Sequence, residues 1–96
     1  MTSVAYLPLA NNDLVDTWLH IAQNDVQAAD AYVERIRYVC ILIAENPLMG
    51  VERDDLREGV RSFPVENHVI FYTAVDDGIV ILRVWPALQD PHSFTL

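Results

Sequence analysis

Arg83 and Trp85 stand two residues apart at the end of an apolar segment, and Arg61 lies in an earlier segment of similar character. Alternate residues of a strand share a face, so Arg83 and Trp85 should point the same way. An arginine beside a tryptophan on an uncovered face is binding chemistry, since both types are enriched where protein interfaces are held. The competing reading pairs Arg83 with an acidic side chain and uses Trp85 to close an edge of the core. Bond-breaking chemistry has less to work with. His20, His68 and His92 fall on a helix, a strand start and a tail, without metal-ligand spacing. No serine and no cysteine has an evident paired base for nucleophilic catalysis. Asp54 with Asp55, and Asp76 with Asp77, occupy turns, where aspartate is favoured for backbone reasons. Three scattered glycines make no phosphate cradle. No catalytic residue, metal site or cofactor is expected.

The elements that must position these residues follow from periodicity. Val4 to Leu7 is a short candidate edge strand ending at Pro8. Asn11 and Asn12 are good caps, and Asp13 would sit in the first turn of a helix carrying Leu14, Trp18, Ile21 and Ala22 at helical spacing. Asn24 and Asp25 break that helix and cap a longer one. Its apolar stripe runs from Ala29 through Ile36 and Cys40 to Ile43, until Asn46 and Pro47 stop it. So short a break implies an antiparallel helical hairpin. Residues 50–58 read as an irregular charged connection. Three strands follow, Gly59 to Val65, His68 to Val75 and Ile79 to Trp85, with turns at Glu66-Asn67 and Asp76-Asp77-Gly78. The Asp-Gly pair is expected to supply a positive φ. The middle strand is almost wholly apolar, as a central one should be. Alternation in the last strand assigns Val80, Leu82 and Val84 to the helix-covered face and Ile79, Ile81, Arg83 and Trp85 to the open one. The face of Arg61 depends on register, which the sequence does not give. The expected fold is α+β: an N-terminal helical hairpin packed on a small twisted antiparallel sheet, with an irregular tail from Pro86 to Leu96.

Composition narrows the function. Ninety-six residues suit a single domain, residues 1–96, burying roughly 65% of the surface its unfolded chain exposes. Apolar residues make up 52% and charged residues 21%, so some apolar surface should reach solvent, either as a contiguous protein-binding patch or as ordinary leakage around a densely packed core. The chain has six arginines, no lysine and fourteen acidic residues, a formal net charge of −8. Nucleic-acid binding draws on neutralised phosphates, and this balance argues against it. The expected partner is a protein whose contacting segment carries basic residues. Cys40 is the one cysteine and lies on an apolar stripe, where a buried thiol is the default. The opening residues lack a signal-peptide pattern, and no apolar run approaches the roughly twenty residues of a membrane span. A cytoplasmic protein is expected.

Several stretches in this order resemble the ParE branch of the RelE/ParE toxin superfamily: residues 10–14 leading to Trp18, Ala28 with Ala29, Asn46 to Gly50, Arg53 to Arg61, Val69 to Tyr72, and Ile81 to Val84. The resemblance covers most of the chain. It implies a RelE/ParE-like fold and a small cytoplasmic toxin that is neutralised by a ParD-like antitoxin and poisons DNA gyrase. The chain departs from the family at the end of the last strand. Family members commonly continue with a histidine and then an arginine-aspartate pair; here those positions hold Pro86 and Gln89, and only Asp90 matches. Messenger-RNA-cleaving relatives use several basic residues and a tail tyrosine or histidine to move protons. This chain offers only Arg61, Arg83 and His92 for such work. A third alternative is a non-toxic module that keeps only antitoxin binding. The resemblance and the residue reading together place target binding on Arg61, Arg83, Trp85 and Asp90. An antitoxin that folds on binding would lay an amphipathic segment on the helical hairpin, at Leu14, Val15, Leu19, Val33 and Ile36.

Overall fold

The computed structural model describes residues 2–93; the end of the expected tail, residues 94–96, lies outside the described residues. Two helices pack on one five-stranded sheet. The order along the chain is β1 (Ser3–Tyr6), α1 (Pro8–Ala22), α2 (Val26–Glu45), β2 (Val51–Glu52), β3 (Val60–Val65), β4 (His68–Val75) and β5 (Gly78–Pro86), closed by a 3₁₀ turn at Pro91–Ser93. Across the sheet the order is β1-β5-β4-β3-β2, which puts β4 at the centre as its apolar sequence requires. Helices on one face of a sheet make this an α+β fold.

The sheet is mixed, not antiparallel throughout, because β1 pairs parallel to β5, Ser3 beside Gly78 and Tyr6 beside Ile81. A parallel pair needs a long crossover, and the helical hairpin lies in that path. A four-residue edge strand carries no signal of which distant strand it will join or in which direction. Gly78 serves this pairing. Positive φ occurs among the described residues at Glu66 and Gly59, not at Gly78. A Cβ at Gly78 would instead collide with the backbone of Ser3. In the connection read as irregular, Val51 and Glu52 form an extra edge strand against Ser62 and Arg61.

α1 starts earlier than its asparagines suggest. Leu7 occupies the cap position in extended conformation without a side-chain cap, and Pro8 opens the first turn. Proline suits that position, since its fixed φ is helical and its missing N–H would have no partner there. Asp13 consequently falls in mid-helix, where the dipole at the helix start gives it nothing. α2 begins as expected, with the Asp25 carboxylate accepting from the Ala28 N–H at 3.1 Å. Trp18 Nε1 donates to Asp30 Oδ1 at 2.7 Å and ties the two helices together.

Two apolar clusters sandwich the sheet. On the helix side, Ala10 and Leu14 of α1 and Ile36, Cys40 and Ile43 of α2 meet Ile70, Tyr72, Ile79, Ile81 and Val84. Burial pushes the Cys40 thiol up to about 11, so it stays protonated. On the opposite face Val60, Phe71 and Leu82 form a smaller cluster joined by Val80 and Trp85. A β-bulge explains the difference from simple alternation. Tyr72 pairs with Ile81 but Phe71 pairs with Arg83, so Leu82 is an extra residue in β5. Before the bulge, Ile79 and Ile81 therefore face the helices, while Val80 and Leu82 face away. Val84 and Trp85 keep the faces that alternation assigns them.

Candidate functional site

The site grows from the edge of β5. β1 escorts that strand only as far as Ile81, whose carbonyl accepts from the Leu7 N–H at 3.0 Å before the chain turns into α1. Beyond that point β5 needs another acceptor. Asp13 supplies it: its Oδ2 accepts the Val84 N–H at 3.0 Å. The same carboxylate takes Arg83 in a fork, Nε to Oδ2 at 2.8 Å and a terminal nitrogen to Oδ1 at 2.9 Å. Both side chains are nearly buried, 12% exposed for Arg83 and 13% for Asp13. Hydrogen bonding to Asp13 raises the Arg83 pKa still further, so the guanidinium is permanently charged. Its carbon lies 4.9 Å from the centre of the Trp85 ring. Thus the ion pair and the arginine–tryptophan stack, read from sequence as alternatives, coexist.

The face away from the helices repeats this motif. Arg53, in the loop between β2 and β3, sits 5.6 Å over the Phe71 ring. Two hydrogen bonds of 3.0 and 2.9 Å hold it to the Asp55 carboxylate. Those bonds, chiefly, keep the Asp55 carboxyl at about 2. His92 joins Asp55 to the tail: Nε2 lies 3.1 Å from Asp55 Oδ2, and Nδ1 lies 3.0 Å from Asp90 Oδ1. Asp90 also accepts the His92 backbone N–H at 2.9 Å, and this bond leads in lowering its carboxyl pKa. Trp85 Nε1 donates to the Gln89 carbonyl at 3.3 Å, so the chain after β5 returns to its own strand.

Arg61 does not join this group. It lies opposite Tyr72, on the helix-facing side of the sheet. There it donates to the carbonyls of Gly50 at 2.7 Å and Leu48 at 3.3 Å, and to Glu52 at 3.2 Å. Tyr72 Oη accepts from the Gly50 N–H and donates to the Pro47 carbonyl. A Cβ at Gly50 would come within 2.5 Å of that hydroxyl. Arg61 and Tyr72 therefore staple the loop after α2. The set Arg61, Arg83 and His92, which an RNA-cleaving mechanism would need together, is divided between the two faces.

On the hairpin, the expected docking residues separate. Leu14 and Ile36 are core, 2% and 0% exposed, and Val33 packs half-buried against the same cluster. Ala10 and Leu14 share the face that α1 turns to the sheet, and Ile36 lies on the corresponding stripe of α2. Val15 and Leu19 are rotated outward, 55% and 52% exposed, one helical turn apart. Only these two of the five offer a free apolar surface.

His68 belongs to a third feature, a groove of about 780 Å³ between α1, the β3–β4 turn and residues 86–89. The Asn67 N–H donates to Tyr32 Oη, which lies 2.7 Å from His68 Nδ1. His68 Nε2 lies 3.4 Å from Thr17 Oγ1, and Thr17 donates to the Asp13 carbonyl. Because Thr17 Oγ1 donates elsewhere, it is free to accept from an Nε2–H, and burial lowers the His68 pKa and favours the neutral ring. Sequence reasoning missed Asp13, Arg53 and Asp55 as parts of the site. Their spacing from Arg83 and Phe71 carries no local signal, since the fold alone brings them together.

The family described as "ParE toxin of type II toxin-antitoxin system, parDE" matches residues 4–91. Toxin ParE3 of Caulobacter vibrioides is 36% identical over 61 residues, which are 64% of this chain and 61% of that protein's length. Toxin ParE1 of the same organism is 36% identical over 76 residues, 78% of each chain. Among solved structures, one titled "Chromosomal ParDE TA system from P. aeruginosa" resembles this fold with a TM-score of 0.74. It covers 90% of this chain and 96% of the other, at 21% identity.

Proposed function

This chain belongs to the ParE toxin family of type II toxin–antitoxin systems, and from that membership we propose that it poisons DNA gyrase by binding, without catalysis, until a ParD-like antitoxin neutralises it. The observation that carries the binding mode is the Arg83 guanidinium stacked on Trp85, on a sheet face that the helices do not cover. Arginine and tryptophan are the residue types that most often anchor protein interfaces. Arg83 is fixed by Asp13 from behind, so little side-chain entropy remains to be lost on binding. Trp85 and the adjoining Asp90 extend the contact surface along the tail. Arg61 acts at one remove in this scheme, by shaping the loop after α2.

The charge of −8 favours a protein target over a direct grip on DNA or RNA. The same charge suits an antitoxin segment with basic residues flanking apolar anchors. Val15 and Leu19, exposed on α1, are the residues we assign to receive those anchors. Among the described residues no helix is long and apolar enough to cross a membrane, and the toxin is assigned to the cytoplasm, where gyrase acts. The test is gyrase supercoiling with purified toxin, antitoxin and their mixture. Inhibition by toxin alone, relieved by a stoichiometric antitoxin, is the expected result; ribosome-dependent cleavage of mRNA without gyrase inhibition would overturn the proposal.

A further inference from the structure

The segment after β5 is fastened to the open sheet face by a chain of charged groups that runs from Arg53 through Asp55 and His92 to Asp90. Both nitrogens of one imidazole lie within 3.1 Å of carboxylate oxygens, on residues 35 positions apart in the sequence (90 − 55 = 35). His92 thus bridges two carboxylates, one of them already paired with Arg53. All four side chains belong to the loop between β2 and β3 or to the tail, and Arg53 anchors the assembly on the Phe71 ring.

We propose that Asp55 and His92 are positioning residues: they clamp the tail so that Trp85, Gln89 and Asp90 present one prearranged surface to the target. The inference rests on the target-binding role given above to this face. His92 and Asp55 are about half exposed and Asp90 more so. Exposed ion pairs contribute little to global stability. Opening the clamp should therefore free the tail without unfolding the protein. The target would then have to order the tail as it binds, and the cost of immobilising one or two side chains corresponds to about a tenfold loss of affinity.

The test compares the full-length wild type with His92→Phe, Asp55→Asn and His92→Arg. The last carries a guanidinium able to bond two carboxylates. Backbone order parameters from ¹⁵N relaxation read the clamp directly; gyrase supercoiling reads its use. Residues 90–93 should be rigid in the wild type, with order parameters near 0.85, and fall below about 0.6 in His92→Phe and Asp55→Asn. Those two variants should inhibit gyrase about tenfold more weakly, with thermal midpoint and antitoxin affinity unchanged. His92→Arg should retain both rigidity and inhibition. Unchanged order parameters in His92→Phe and Asp55→Asn would overturn the clamp. A mobile tail with undiminished inhibition would overturn its positioning role, and stronger inhibition would make the tail a cover and overturn it too. Failure of the wild type itself to inhibit gyrase would refute the target assignment, and the relaxation data would then decide the clamp alone.

Discussion

Replacing Asp13 with alanine should be among the most damaging single changes outside the apolar core. The substitution strips a nearly buried Arg83 of its counter-charge and leaves the Val84 N–H without its acceptor. Breaking a buried ion pair from one side costs about 3–5 kcal/mol. The orphaned amide adds about 1 kcal/mol. The stack on Trp85 is present before and after the change and offsets nothing, but the remaining access to water places the ion-pair cost at its lower end. A net loss of about 4 kcal/mol follows. In a domain of this length each kcal/mol lowers the midpoint by about 4–8 °C, so Asp13→Ala should melt about 16–32 °C below wild type. Asp13→Asn keeps one acceptor oxygen and should lose about half as much in free energy. Urea titration of wild type and both variants gives the free energies, and a double variant, Asp13→Leu with Arg83→Met, should recover part of the loss because no charge is left stranded. A loss below about 1 kcal/mol for Asp13→Ala, the size of an exposed pair, would refute the reasoning. Because Arg83 has this structural duty, Trp85→Ala is the cleaner probe of target binding than Arg83→Ala.

Leu14→Ala should cost about 2–5 kcal/mol of stability in urea titration, as for a core leucine, whereas Leu19→Asp should leave stability nearly unchanged and weaken antitoxin binding at least tenfold by calorimetry. Gly50→Ala should destabilise by about 1–3 kcal/mol, because the new methyl meets Tyr72 Oη and the Ser62 carbonyl; a thermal melt that matches wild type would show that the loop can give way. Burial lowers the His68 pKa in the folded state, so the unfolded chain binds the proton more readily. The contribution of the neutral ring is complete above the ordinary histidine value of about 6.5 and is lost as pH falls through it towards the lowered one. Wild type should therefore lose more stability than His68→Gln between pH 7.5 and 5.5, and parallel midpoint-versus-pH curves would contradict this.

Local pattern carried the helices and the three long strands. Asp25 caps α2, Pro47 ends it, and the apolar run of β4 marks the sheet's centre, each from signals within a few residues. What stayed hidden was set at a distance. Leu82 bulges because β5 must register with β4 across a hairpin, and no residue type in Ile79 to Trp85 announces it. The faces of Ile79, Val80, Ile81 and Leu82 therefore came out exchanged. Asp13 looked like a first-turn anion because Asn11 and Asn12 are such good caps; Pro8 had already opened the helix. Helical spacing separates Leu14 from Val15 by 100° but does not say which one the sheet will cover. Trp85 was legible on the open face, while the Arg53–Asp55–His92–Asp90 chain was not, because its members meet only after the tail folds back.

The most direct measurement is supercoiling by purified gyrase, titrated with wild-type toxin and with Trp85→Ala, each shown to be folded by its melting curve. A toxin that acts through the open face inhibits at stoichiometric concentration as wild type and at least tenfold more weakly as Trp85→Ala, with antitoxin affinity equal in both. Equal inhibition by the two proteins would move the target site elsewhere. No inhibition by either, alongside arrested translation in cells, would contradict the gyrase assignment itself.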